Sequence, residues 1–395
     1  MALFAQHGHG KSDKIDVALD GGFIDGVVFG ARSEKRENIE SCVEVVREKN
    51  GQILFDPQFH VSTIMPANDR HLPDYPYYKA ARTAADFVGI KKLGAYVKST
   101  LDFELGLQPD RLLSPTVIFE SFSSNWYQTA LNLADASLDF HAGLPSAPPL
   151  LLSFVIGEEA LGSRVELEAF LDQVTSWENV FGLYVVISRA ERSYSQIFDP
   201  ERLANALYMS YVLGHINGLE VVNGYSDFCG ILYRAVGSSA YATGWSQGLR
   251  QFHKRAFTKQ KPGGQAPRLR YTSLPLLNSI LLSELQQIHE VDRLDDALSG
   301  VSLDSVITEA ESPEESNWNQ QTSELHHWES LHLMDGELSG DVVSDVSTME
   351  EKMTEAKELY VSMEEDGIIF GSQTRSNHLD QWAEAINKLR DIITL

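Results

Sequence analysis

From Phe228 to Ser283 the chain contains no Asp or Glu, although its 395 residues carry 56 acidic against 32 basic side chains and a formal charge of −24. Eight basic residues occupy that same stretch: Arg234, Arg250, Lys254, Arg255, Lys259, Lys261, Arg268 and Arg270. A complementary absence lies between Val301 and Glu350, where there is no Lys or Arg. Two cysteines, Cys42 and Cys229, exclude a disulfide framework and a cysteine zinc site, and suit a reducing, cytoplasmic setting. No apolar run approaches the roughly 20 residues that span a bilayer, and Met1–Ser12 lacks the pattern of a signal peptide. Dinucleotide fingerprint, catalytic-serine elbow and CxxC are all missing. One permissive P-loop match, Ala5 to Ser12, has only four residues before it and no helical pattern after it, so it is set aside.

What is present is an alternation. Apolar, β-branched runs at Ile24–Phe29, Ile53–Phe55, Thr116–Phe119, Leu150–Ile156, Leu183–Ile187, Leu219–Val222, Ala240–Thr243 and Leu269–Tyr271 read as strands. Between them lie helix-patterned segments such as Ser33–Lys49, Arg164–Ser176 and Pro200–Gly214. Strands apolar on both faces and separated by helices imply a parallel sheet covered on both sides. Eight such units predict a (β/α)8 TIM-like barrel over residues 13–298, with an open doubly wound sheet as the alternative. A Ser- and acid-rich linker, 299–315, leads to a C-terminal acidic helical appendage, 316–395, whose helices are predicted at Ser347–Glu365 and Asn377–Ile393.

Functional residues of such a barrel sit just beyond the C-terminal ends of its strands. Asp56, Glu120 and Glu158 fall there, as three carboxylates that can divide acid and base roles; Asp56 and Glu120 are also candidates to hold a divalent cation. The alternative is that each caps the helix that follows. His60 lies four residues past Asp56 but has no second His beside it, and the adjacent His326 and His327 read as structural. Arg189, Glu191 and Arg192 follow the fifth predicted strand. An anion site is expected at the loops after strands 7 and 8, formed by Thr243, Gly244, Ser246, Arg250, Arg268 and Arg270. The competing reading of that basic block is a surface on which the acidic appendage docks. A loop at Val61–Tyr78, with Tyr75, Tyr77 and Tyr78, is placed to close over the mouth.

The runs Ile53 to Gln58 and Thr243-Gly244-Trp245 with Leu249-Arg250 resemble those of uncharacterised bacterial barrel proteins, and the layout is similar to that of base-exchanging transglycosylase barrels. The zinc-binding cysteines of that family are missing, and no residue is carried over from it. The first expectation is an enzyme acting on a phosphorylated small molecule or nucleotide. The second is a non-catalytic scaffold whose acidic surface engages a protein partner. The third is a binder of tRNA or single-stranded nucleic acid through the basic block. An acidic surface disfavours duplex nucleic acid.

Overall fold

The computed structural model describes residues 3–190, 194, 196–259 and 268–393. Its strands are β1 (Leu3–Gln6), β2 (Gly26–Gly30), β3 (Gln52–Asp56), β4 (Leu112–Leu113), β5 (Ile118–Phe119), β6 (Leu150–Gly157), β7 (Gly182–Ser188), β8 (Glu220–Gly224) and β9 (Ala240–Thr243). All pair in parallel, in the order β3-β2-β1-β9-β8-β7-β6-β4, with β5 also on β6, so that β4 and β5 share one stave of an eight-stave barrel. The ring is nearly closed. Its last join is one parallel bridge, Leu54 to Arg111, reinforced by the Ile53 amide donating to Asp110 Oδ2 at 2.7 Å.

Two strand assignments from the sequence need correction. The first stave is Leu3–Gln6, which the sequence reading left outside the barrel. Conversely, Leu269–Tyr271 is not a stave: Arg270–Ser273 (β10) pairs antiparallel with Asn278–Leu281 (β11) in a separate hairpin. Apolar periodicity identifies a strand without identifying its partner, and each error conceals the other in a count of eight.

The strand before the P-loop-like match therefore exists, as does a helix after it, Lys14–Asp20. The intervening loop nevertheless folds around a cation. Lys14 Nζ donates to Gly10 O at 2.8 Å and pairs with Glu324 at 3.2 Å, so acceptors rather than amides face the centre.

Helices cover the staves in turn: Arg36–Glu48, Ile90–Leu107, Asn125–Ala142, Arg164–Thr175, Pro200–Ser210 and Cys229–Ala235 follow β2 through β8. After β9 the chain makes only a short turn, Gln247–Arg250. The eighth place in the outer ring is filled from far away in sequence by Gln320–Asp335, which lies against β1 between Lys14–Asp20 and Cys229–Ala235. Trp328, fully buried, donates its indole N–H to Thr243 O at 2.9 Å. Trp318 Nε1 and Ser323 Oγ both donate to Arg270 O, at 3.0 and 2.6 Å. Two further helices, Val342–Glu365 and Asn377–Ile393, pack outside this layer, close to the predicted spans. Among the described residues no helix is long and apolar enough to cross a membrane.

Because Trp328 fills the gap over β9, Trp328→Ala is expected to lower unfolding stability by about 3–5 kcal/mol in urea titrations. A loss below about 1 kcal/mol would mean that this helix is not an integral part of the barrel wall.

Candidate functional site

Alternation along a strand sends every second side chain to the barrel axis. Two hydrogen bonds identify that face at the C-terminal half of the barrel. Tyr184 on β7 donates to Gln6 Oε1 on β1 at 3.2 Å, and Gln58 Nε2, just past β3, donates to Tyr225 Oη, just past β8, at 3.1 Å. Neither pair belongs to neighbouring strands, so both bonds cross the interior. Gly224 makes room for the first: a Cβ there would meet Tyr184 Oη at 2.3 Å.

Asp56 ends β3 within this polar layer and is 6 % exposed. The Gln58 backbone amide donates to Asp56 Oδ1 at 2.8 Å. Burial pushes the Asp56 carboxyl up to about 7, against the lowering effect of that one bond. Gln58 and Tyr225 both adopt left-handed backbone conformations, with φ of 47° and 54°. Non-glycine residues occupy that region at a cost, and such strain concentrates at functional sites. Two strained residues thus meet above one buried carboxyl that titrates near neutrality.

The tyrosine-rich loop reaches the mouth only through residues 66–70, and the rings of Tyr75 and Tyr77 do not cover this layer. Tyr75 donates to Glu34 O and Tyr77 to Pro57 O, and their rings pack with Phe103 in the outer layer. Residues 251–259 cross the mouth instead. Phe252 and Phe257 stack at 4.9 Å, and both abut the buried His60 ring at 5.3 and 5.4 Å; Phe252 also meets Tyr225 at 5.3 Å. Burial and the nearby Arg32 charge hold His60 down at about 3, as a neutral ring beneath this plug. The crosspiece is tied down by Arg189 N donating to Phe252 O at 2.9 Å, His253 Nε2 to Ala190 O at 3.0 Å, and Asn68 N to Phe257 O at 2.7 Å. Arg32 donates to both Asn68 O and Ala256 O.

The other expected site residues fall into separate environments. Glu120 is exposed and paired with Lys254 of the crosspiece at 2.8 Å. Glu158 is buried in an ion pair with Arg189 at 2.6 Å, with Arg202 at 3.5 Å and the Ala190 amide at 3.0 Å, so its oxygens are engaged. No group of three potential metal ligands among His, Cys, Asp and Glu occurs among the described residues. Thr243 and Gly244 are buried, and Ser246 is exposed. A Cβ on Gly244 would meet Leu249 Cβ at 2.3 Å and Gln6 O at 2.7 Å, so close packing requires that glycine.

Arg250 points inward and donates to Gly244 O at 3.0 Å. Burial pushes its guanidinium down, opposed by the charges of Asp227 and Glu324. Arg270, which starts the hairpin, donates to Ser279 O at 2.6 Å and to Gln373 at 3.1 Å. Arg268 is exposed. Arg234 pairs with Asp335 at 2.9 Å. Half of the expected anion set thus faces the C-terminal helices, with His327 joining Asp227 at 3.3 Å. Glu191, Arg192 and Lys261 lie outside the described residues.

A cavity of about 20 Å3, bounded by Gln196, Asn223, Tyr225 and Asp227, has room for one water. A cleft of about 690 Å3 opens at the opposite end of the barrel, where Arg111 and Glu220 pair at 3.0 Å. Gln6 and Tyr184 were not anticipated from sequence; the first lay in the unrecognised strand. Tyr184, which alternates with outward-facing Val185, was open to detection by its period of two.

The chain matches no known protein-family model, and no curated protein matches it.

Asp56 binds its proton more tightly folded than unfolded between pH 3.8 and about 7, so its contribution to stability falls as pH rises through that window and is flat above it. Replacing it by Asn removes the slope. Relative to wild type, Asp56→Asn is expected to gain up to roughly 4 kcal/mol between pH 4 and pH 8 in paired denaturation curves. A difference independent of pH would show that the carboxyl titrates normally.

Proposed function

We propose that this barrel is an enzyme acting on a phosphorylated small molecule or nucleotide at its C-terminal mouth, with Asp56 exchanging a proton with the substrate. The observation that carries the reading is Asp56 itself: a carboxyl that ends a barrel strand, points to the axis and titrates at about 7. A group with that affinity is present in both protonation states at neutral pH, as acid–base work requires. Tyr184, Tyr225, Gln58 and Gln6 supply the donors and acceptors that would orient a substrate beside it. Gln6 Nε2 has no hydrogen-bond partner among the described residues, leaving one buried donor for a ligand. Access requires residues 251–259 to move, in the manner of a mouth cover that excludes water during reaction. Where a divalent cation takes part, Asp56 is the buried oxygen ligand on offer.

A second reading is favoured by a different observation. Glu120 and Glu158 are both ion-paired and the crosspiece fills the mouth, which suits a non-catalytic scaffold.

A thermal-shift screen of nucleotides and sugar phosphates, followed by turnover assays on any ligand that raises Tm, separates the two. The enzyme reading expects kcat/KM to change along a limb with an apparent pKa near 7, and Asp56→Asn to lose about 10²–10⁴-fold in rate together with that limb. Turnover that survives in Asp56→Asn with the limb intact would remove Asp56 from the mechanism. A screen in which no ligand shifts Tm favours the scaffold.

A further inference from the structure

We infer that the phosphate of the substrate binds on the outer face of the crosspiece, at Lys254, Lys259 and Arg70, and not at the buried arginines beside β9. This rests on the reading that the C-terminal mouth is the working end. Arg250 is 6 % exposed and committed to Gly244 O, and Arg270 is spent on Ser279 O and Gln373. Both guanidinium groups are buried, so neither meets a phosphate arriving from solvent. Among the described residues, the exposed cations of the crosspiece and of the loop it pairs with include Arg70, Lys254, Arg255 and Lys259.

The backbone holds Lys259 against the loop that bears Arg70, and Lys254 is placed on the same crosspiece by its pair with Glu120, just past β5. Ala67 bridges Thr258, Lys259 N donates to Pro66 O at 3.0 Å, and the Arg32 guanidinium clamps Asn68 O and Ala256 O together. Arg70 lies close enough to Arg32 for its charge to push that guanidinium down, secondary to burial. The nearby acidic groups are Glu120, which holds Lys254 at 2.8 Å, and Asp69, which accepts from Tyr78 at 3.3 Å. In a protein of formal charge −24, an exposed cationic rim directly above a buried polar layer attracts anions to that one opening.

The Glu120–Lys254 pair gives the rim a mechanism. Its side chains are 61 and 46 % exposed, and ion pairs of that kind contribute little to stability. A phosphate offers Lys254 more charge and more acceptor oxygens than Glu120 does. Exchange of Glu120 for phosphate breaks the side-chain tie between the crosspiece and the end of β5. No covalent bond changes; one ion pair replaces another.

Calorimetric titration with inorganic tripolyphosphate tests this directly. The wild type is expected to bind, more weakly as salt rises. The Lys254→Ala/Lys259→Ala double variant is expected to bind about tenfold or more weakly, and Arg70→Ala several-fold more weakly. Glu120→Gln, which removes the competing carboxylate, is expected to bind several-fold more tightly. Lys98→Ala, on an outer helix where Lys98 pairs with Asp102, serves as control and is expected to match wild type. Asp56→Asn is also expected to match it, so failure of the acid–base reading and failure of the rim are distinguishable. No binding by wild type, equal weakening by Lys98→Ala, or an unchanged double variant would each overturn the rim. So would binding of an oligonucleotide by a protein that ignores tripolyphosphate.

Discussion

The barrel depends on a four-residue strand. A parallel sheet of eight staves leaves two open edges unless its first and last strands meet, and buried open edges carry unpaired amides and carbonyls. Leu3–Gln6 sits between β2 and β9, in register with both: Ala5 opposes Val27 on one side and Thr243 on the other. Without it the sheet would be split at its middle. The strand also places Gln6 under Tyr184, so the element that joins the sheet supplies part of the polar layer. Fold closure and site assembly are one event here.

The uneven charge of the chain follows from the same economy of parts. The sequence after β9 does not supply its own covering helix at once, and Gln320–Asp335 fills that place instead. A helix arriving from an acidic region onto a basic one needs buried polar matches to fix its register. Arg234 with Asp335, Lys14 with Glu324 and His327 with Asp227 provide them. Burial and the Arg250 charge hold His327 down at about 4, so it is neutral over the physiological range, and its Nε2 lies 3.3 Å from Asp227 Oδ1 outside hydrogen-bond geometry. Apolar burial through Trp328 and Leu331 stabilises the contact, while the polar pairs decide where it sits. The acid-free stretch thus serves two purposes: part of it is covered, and part faces solvent at the mouth.

The sequence was most legible where burial acts on long periodic segments. Asn377–Ile393 and Arg164–Thr175 have bounds within a residue of expectation because their apolar spacing and stops are local signals. Asp56 ends β3 where the sequence placed it, for a comparable reason, since an Asp-Pro turn after a strand fixes its own position. Leu3–Gln6 is too short for periodicity to be measured, and its neighbours suggested a phosphate loop. The fate of the basic residues was the least legible. Whether Arg250 meets a ligand or Glu324 depends on a helix more than 70 residues later, and no local pattern encodes that pairing. The same holds for the crosspiece. Phe252 and Phe257 interleave the basic charges, a pattern that suits stacking on nucleic-acid bases and does not reveal that both rings are buried against His60.

A buried carboxyl is retained against selection for stability only if something offsets its desolvation. Glu158 has Arg189, and Asp227 has His327 and Gln196; each is an acid with partners that answer its charge. Asp56 has a single backbone amide, and two residues beside it hold left-handed backbone conformations in order to meet across the barrel. An apolar side chain there would have cost the fold the one bond from the Gln58 amide, and an arginine nearby would have neutralised the carboxyl with that bond kept. Glu104 on Ile90–Leu107, fully buried and accepting the Leu113 amide, is also pushed up by burial; Asp56 differs in ending a barrel strand beside the hydrogen bond that joins Gln58 to Tyr225. The exposed cations of the crosspiece extend the same logic outward: charge left unburied on an acidic protein, at the same end of the barrel as a buried carboxyl that no cation pairs among the described residues.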